Sequence, residues 1–204
     1  MIDRLDYALP FVILFLCGVY SSVRAARTRG QGWLILAFFY FCFSLGNLYW
    51  LLCNILLGSI PEVSYISELS WYVGFIFLSM LLRQTLDGPP SGSRRWAWLA
   101  PVFTGGACLF FFQWGDYTSN VAAAALLGWL GYLILTGLLD GKVSPGVRRL
   151  YLVCGAFFVA EYGMWFSSCF WRDESLRNPY FWFDGLLTLS CVLLIPAYGK
   201  AVAE

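Results

Sequence analysis

From Leu150 to Trp171 the chain reads LYLVCGAFFVAEYGMWFSSCFW, an apolar run whose only charge is Glu161, near its middle. The run is long enough to cross a bilayer as a helix, because about 20 apolar residues span the hydrocarbon. A carboxylate at that depth costs about 2.5–3.5 kcal/mol on insertion scales, so the group must be neutral, paired or beside water. Similar runs recur along the whole chain. In lipid every backbone polar group must be satisfied internally, which leaves helices or a closed barrel. The runs are continuous rather than alternating segments of about 10 residues, so the helical solution is expected. Composition agrees. Hydrophobic residues make up 60% and charged residues 12%, against about 45–50% and about 25% in soluble domains, so there are too few charges to cover a water-facing surface.

The expected architecture is all-α: one polytopic membrane bundle over 1–204 with seven transmembrane helices, near 7–24, 33–57, 65–82, 96–114, 120–139, 150–171 and 180–199. The first apolar run is followed, not preceded, by Arg24, Arg27 and Arg29, the reverse of a secretory signal, so it reads as a retained helix. Gly30 to Gly32 read as a tight link, and the loops fall at Gly58–Ser64, Arg83–Arg95, Asp116–Ser119, Asp140–Arg149 and Arg172–Pro179. Pro101 is expected to kink the fourth span or lie in its first turns. Ala124 and Gly128 form a small-xxx-small pair suited to close helix packing. With seven crossings, Arg24, Arg27, Arg29, Arg83, Arg94, Arg95, Lys142, Arg148, Arg149 and Lys200 share one side, and Arg4, Arg172 and Arg177 the other. The positive-inside rule then places the N-terminus outside and the C-terminus in the cytoplasm, in an inner or plasma membrane. Trp33 and Trp96 suit an inner aromatic belt, and Trp114, Trp171 and Tyr180 an outer one.

Histidine is absent. That removes the Ser-His-Asp triad, the Cys-His dyad and histidine-ligated metal sites. No Lys lies within a span, so a retinal Schiff base has no attachment point. The seven cysteines all lie in apolar runs without a CxxC pair, and read as small buried apolar residues; one bridge between Cys53 and Cys169 is the pairing worth testing. Net charge is +1, which implies no nucleic acid. No catalytic set, metal or cofactor is indicated.

The candidate ligand-binding residues are the intramembrane polar groups Glu161, Asp184, Glu68, Asn47 and Asn54, with Trp165 and Trp71 at similar depth. Tyr40, Ser44, Asn47 and Asn54 fall on one helical face. If the faces converge, they form an outward-opening acidic, aromatic-lined cavity suited to an organic cation or a proton-linked switch. Against this stands a purely structural role, since buried Asn and acid groups also bond helices together. Ser64 or Ser67 could cap the third span, with Glu68 at the positive end of its dipole. Spans two and three also faintly echo spans six and seven: Tyr65-x-x-Glu68 parallels Phe181-x-x-Asp184, an echo that hairpin duplication or chance could explain.

The segment Ser67-Glu68-Leu69-Ser70-Trp71-Tyr72, opening a third helix after a short outer loop, resembles the acidic-then-aromatic third-helix start of the seven-helix sensory input domains of bacterial histidine kinases and diguanylate cyclases. That family tends to have Asp where this chain has Glu68. The resemblance implies a membrane sensor that binds a small molecule, proton or cation. No kinase or cyclase follows within the sequence, so its output would pass through the Arg-rich inner loops to a separate cytoplasmic protein. The other readings are a small proton- or cation-coupled transporter, a non-catalytic scaffold subunit of a membrane complex, and a lipid-modifying enzyme using Glu161 and Asp184 as acid and base; membrane lipids are expected partners in every case.

Overall fold

The computed structural model describes residues 2–58, 65–86, 94–171, 173 and 175–203. All regular structure among them is helical: α1 (Ile2–Thr28), α2 (Gln31–Leu56), α3 (Tyr65–Gln84), α4 (Arg94–Ala97), α5 (Leu99–Phe111), α6 (Tyr117–Leu139), α7 (Pro145–Phe170) and α8 (Pro179–Ala201). Six of these, α1, α2, α3, α6, α7 and α8, are long and apolar enough to cross a membrane. The chain is a multi-pass helical membrane protein. Its outside confirms the solvent: Leu16, Leu52, Val102, Leu109, Val159 and Leu189 are all exposed, an arrangement that soluble monomers avoid.

The expected fourth span differs from the others. It is divided into the single turn α4 and the 13-residue α5, which is about 20 Å long at 1.5 Å per residue. Pro101 sits in the first turn of α5, where its missing N–H breaks no helical bond. The expected tight link at Gly30–Gly32 is also different. Arg29 takes the left-handed conformation (φ 53°) that ends α1, Gly30 caps α2, and Gly32 is already helical. Ser64 lies outside the described residues, as do most of the loops expected at Gly58–Ser64 and Arg83–Arg95.

Neighbours in sequence pack as antiparallel pairs: α1 with α2, α2 with α3, α5 with α6, and α7 with α8; α8 also returns to α1, and α3 and α7 both meet α6. Four phenylalanines join α2, α3 and α7 at the centre. Phe39, Phe43, Phe75 and Phe157 are nearly inaccessible, with ring centroids 4.9–6.2 Å apart. At one end Tyr151 of α7 lies on the backbone of α6 at Gly137, where a Cβ would come within 2.3 Å of its ring. Its hydroxyl donates to the Leu82 carbonyl of α3 at 2.9 Å. At the opposite end Ser119, in the first turn of α6, donates to Glu68 at 2.5 Å and accepts from the Tyr72 hydroxyl through its carbonyl at 3.0 Å. Asp116 caps α6 by accepting from the Ser119 N–H, as its extended backbone and short carboxylate suit it to do. All seven cysteines are free, so Cys53 and Cys169 form no bridge.

Candidate functional site

One cavity gathers the polar groups of five helices. Asp6, Tyr7 and Pro10 come from α1, Asn47 and Trp50 from α2, Trp71 from α3, Glu161 and Met164 from α7, and Tyr180, Asp184, Thr188 and Cys191 from α8, with Leu14, Phe43 and Leu187 completing the wall. Each helix contributes one face. On α1, Asp6, Pro10 and Leu14 stand one turn apart; on α8, so do Tyr180, Asp184 and Thr188. The phenylalanine cluster seals one end, because Phe157 lies one turn before Glu161 and Phe39 one turn before Phe43. The other end is the one where α1 and α8 begin.

The cavity measures about 40 Å³. A water molecule needs at least about 10–15 Å³, so there is room for one or a few waters, or for a small inorganic cation. It is too small for the organic cation expected from the sequence. Glu161 is 2% exposed, and its Oε2 is buried without a hydrogen-bond partner among the described residues. Asp184 lines the same cavity. So does Asp6, at the start of the first span. Asn47 turns its amide N–H back to the Phe43 carbonyl at 3.0 Å.

Aromatic rings form the wall opposite α8. The Tyr7 ring packs at a tilt on Trp50 (centroids 5.6 Å apart, 53°), and Trp50 on Trp71 (6.1 Å, 32°). Trp50 is held by its Nε1–H, which donates to the Ser67 hydroxyl at 2.6 Å; that hydroxyl therefore anchors a tryptophan. Trp71 lies against the backbone of α2 at Gly46, where any Cβ would meet its Nε1 at 2.4 Å. Only glycine permits this approach.

Of the sequence candidates, the cavity brings together Glu161, Asp184, Asn47 and Trp71. It leaves out three. Glu68 clasps Ser119, joining α3 to α6. Asn54 sits half-buried in the last turn of α2, away from the cavity wall. Trp165 packs on Phe111 and Tyr162, toward α5. The proposed duplication finds no counterpart in these positions, since Asp184 faces the cavity and Glu68 does not. Sequence reasoning missed Asp6, Tyr7 and Tyr180. Asp6 falls just before the first expected span, near 7–24, and Tyr180 falls among the expected outer-belt residues. The signal was present: Asp6, Pro10, Leu14, Cys17 and Ser21 repeat with helical spacing, and Leu14, Cys17 and Ser21 are buried.

No family model matches this chain, and neither a curated protein nor a solved structure does.

Proposed function

We propose that this chain is a membrane sensor module whose acidic cavity takes up a proton or a small inorganic cation and passes the change to a separate cytoplasmic protein. In this reading it has seven crossings, α4 and α5 together making the fourth, with the N-terminus outside and the cavity near the outer surface. The Lys and Arg distribution supports that orientation. The acidic-then-aromatic start of α3 supports kinship with the seven-helix sensory input domains.

The observation that carries the reading is the orphaned Oε2 of Glu161, buried on a residue that lines, with Asp184 and Asp6, a space that admits water or a small ion. A polar atom left unmatched in a packed interior costs about 1–3 kcal/mol. A ligand supplies what is missing, and it moves the protein only if it binds two conformations unequally. The route to the other end of the bundle runs along α8. Tyr198, near its C-terminal end, packs edge-on against Trp33 at 5.0 Å, and the guanidinium of Arg24 lies over Trp33 at 5.3 Å. A shift of α8 at Asp184 therefore reaches the Arg24–Arg29 segment through two rings.

Infrared difference spectra of the protein in nanodiscs, between acid and alkaline buffer and with or without sodium, test this reading. A carboxyl C=O band that responds to either change and vanishes in Glu161→Gln is expected, together with altered hydrogen exchange around Trp33. Spectra and exchange identical in wild type and Glu161→Gln overturn it. A second reading, a cation-coupled transporter, is favoured by Pro10. This proline lies inside α1 and lines the cavity, and a proline within a helix interrupts its regular bonding beside the site, as the broken helices of transporters do at theirs. Sodium uptake by proteoliposomes that Glu161→Gln abolishes moves the assignment to that reading.

A further inference from the structure

We infer that the α3–α5–α6 face holds one two-chain anionic glycerophospholipid, its phosphate on Arg83 and its acyl chains on either side of Trp129. Two grooves meet there. The larger, about 590 Å³, runs between α5 and α6; the smaller, about 350 Å³, runs between α3 and α6. Only Arg83 and Trp129 line both. The indole is therefore the ridge between the grooves, held flat by stacking on Tyr132 at 5.7 Å and 16°. Arg83, in the last turn of α3, is the cation where they converge.

The dimensions match one leaflet. The larger groove follows α6 from Ala124 to Thr136, about 18 Å at 1.5 Å per residue. The smaller follows α3 from Ile76 to Gln84, about 12 Å. Half of the hydrocarbon core is about 15 Å. The walls are almost wholly apolar away from Arg83. Thr136 of α6 lines the larger groove at the Arg83 end. The third groove on this side, about 410 Å³ between α5, α6 and α7, has no charged lining residue and lacks this complementarity. A forked apolar site with one cation at the fork suits a lipid with two tails and one negative phosphate. A helix from a second copy would fill one groove and leave the other open.

Native mass spectrometry of the delipidated protein, with phosphatidylglycerol or phosphatidylcholine added back, tests the site. Wild type retains one phosphatidylglycerol about fivefold better than phosphatidylcholine, the preference one arginine gives near a charged surface. Arg83→Gln loses that preference and Arg83→Lys keeps it. Gly105 lines the larger groove and a Cβ there meets nothing within 4 Å, so Gly105→Leu fills the groove without a backbone clash and loses both lipids. Retention by Gly105→Leu equal to wild type, or an unchanged preference in Arg83→Gln, overturns the proposal. So does a wild-type dimer that Gly105→Leu dissociates, which assigns the groove to a second copy.

Discussion

Replacing Gly46 by alanine tests whether the cavity wall is set by the approach of α3 to α2. The new Cβ would stand 2.4 Å from Trp71 Nε1 and 2.9 Å from two further indole atoms. Ordinary contact begins near 3.4 Å, so the indole must retreat by roughly 1 Å, and overpacking of this kind costs about 1–3 kcal/mol. The rigid ring has little freedom to yield, because Trp50 lies beside it and is itself held by Ser67. Alanine also gains about 0.5–1 kcal/mol over glycine in a helix. Gly105→Ala supplies the control, since it makes the same helical gain with open space around its Cβ. Gly46→Ala is therefore expected to be less stable than Gly105→Ala by about 1–3 kcal/mol. Reversible unfolding in mixed detergent micelles measures the difference. In a Trp71→Leu background the penalty of Gly46→Ala should largely vanish, because the smaller side chain can move aside. Equal stability of the two alanine variants, or a penalty that persists without Trp71, refutes the packing argument.

Two other outcomes follow from single contacts. Tyr40→Phe removes the bond from a fully buried hydroxyl on α2 to the Cys191 carbonyl on α8, 2.6 Å long; interhelical bonds in membranes average about 0.6 kcal/mol, with a maximum near 1.7, and the same unfolding assay should return a loss in that range. Under non-reducing denaturation every cysteine should react with a thiol reagent, and before denaturation the partly exposed Cys42 and Cys169 should react ahead of the buried Cys154 and Cys191.

The helices were readable because lipid imposes a length and a composition on each one, independent of its neighbours. The break at Trp98 was signalled by Pro101, which the sequence places at a kink or in the first turns of that span and which sits in the first turn of α5. Glu161 and Asp184 could be singled out by their cost in hydrocarbon, and so could Glu68, yet Glu68 ends on Ser119. Nothing local distinguishes a carboxyl that lines a cavity from one that clasps a neighbouring helix.

Asp6 makes the same point from the other side. At a helix end its charge costs little, so it carried no alarm in the sequence, and it becomes part of the site only because α1 returns against α8. Taken alone, the sequence determined the solvent, the secondary structure and which residues are expensive to bury, because each is a property of one segment in contact with lipid. The tertiary structure decided which expensive residues meet, how little space lies between them, and which cation stands at the fork of the grooves. These depend on the rotation and closeness of helices distant in sequence, and that is set by the shapes packed between them, Gly46 against Trp71 and Gly137 against Tyr151 among them.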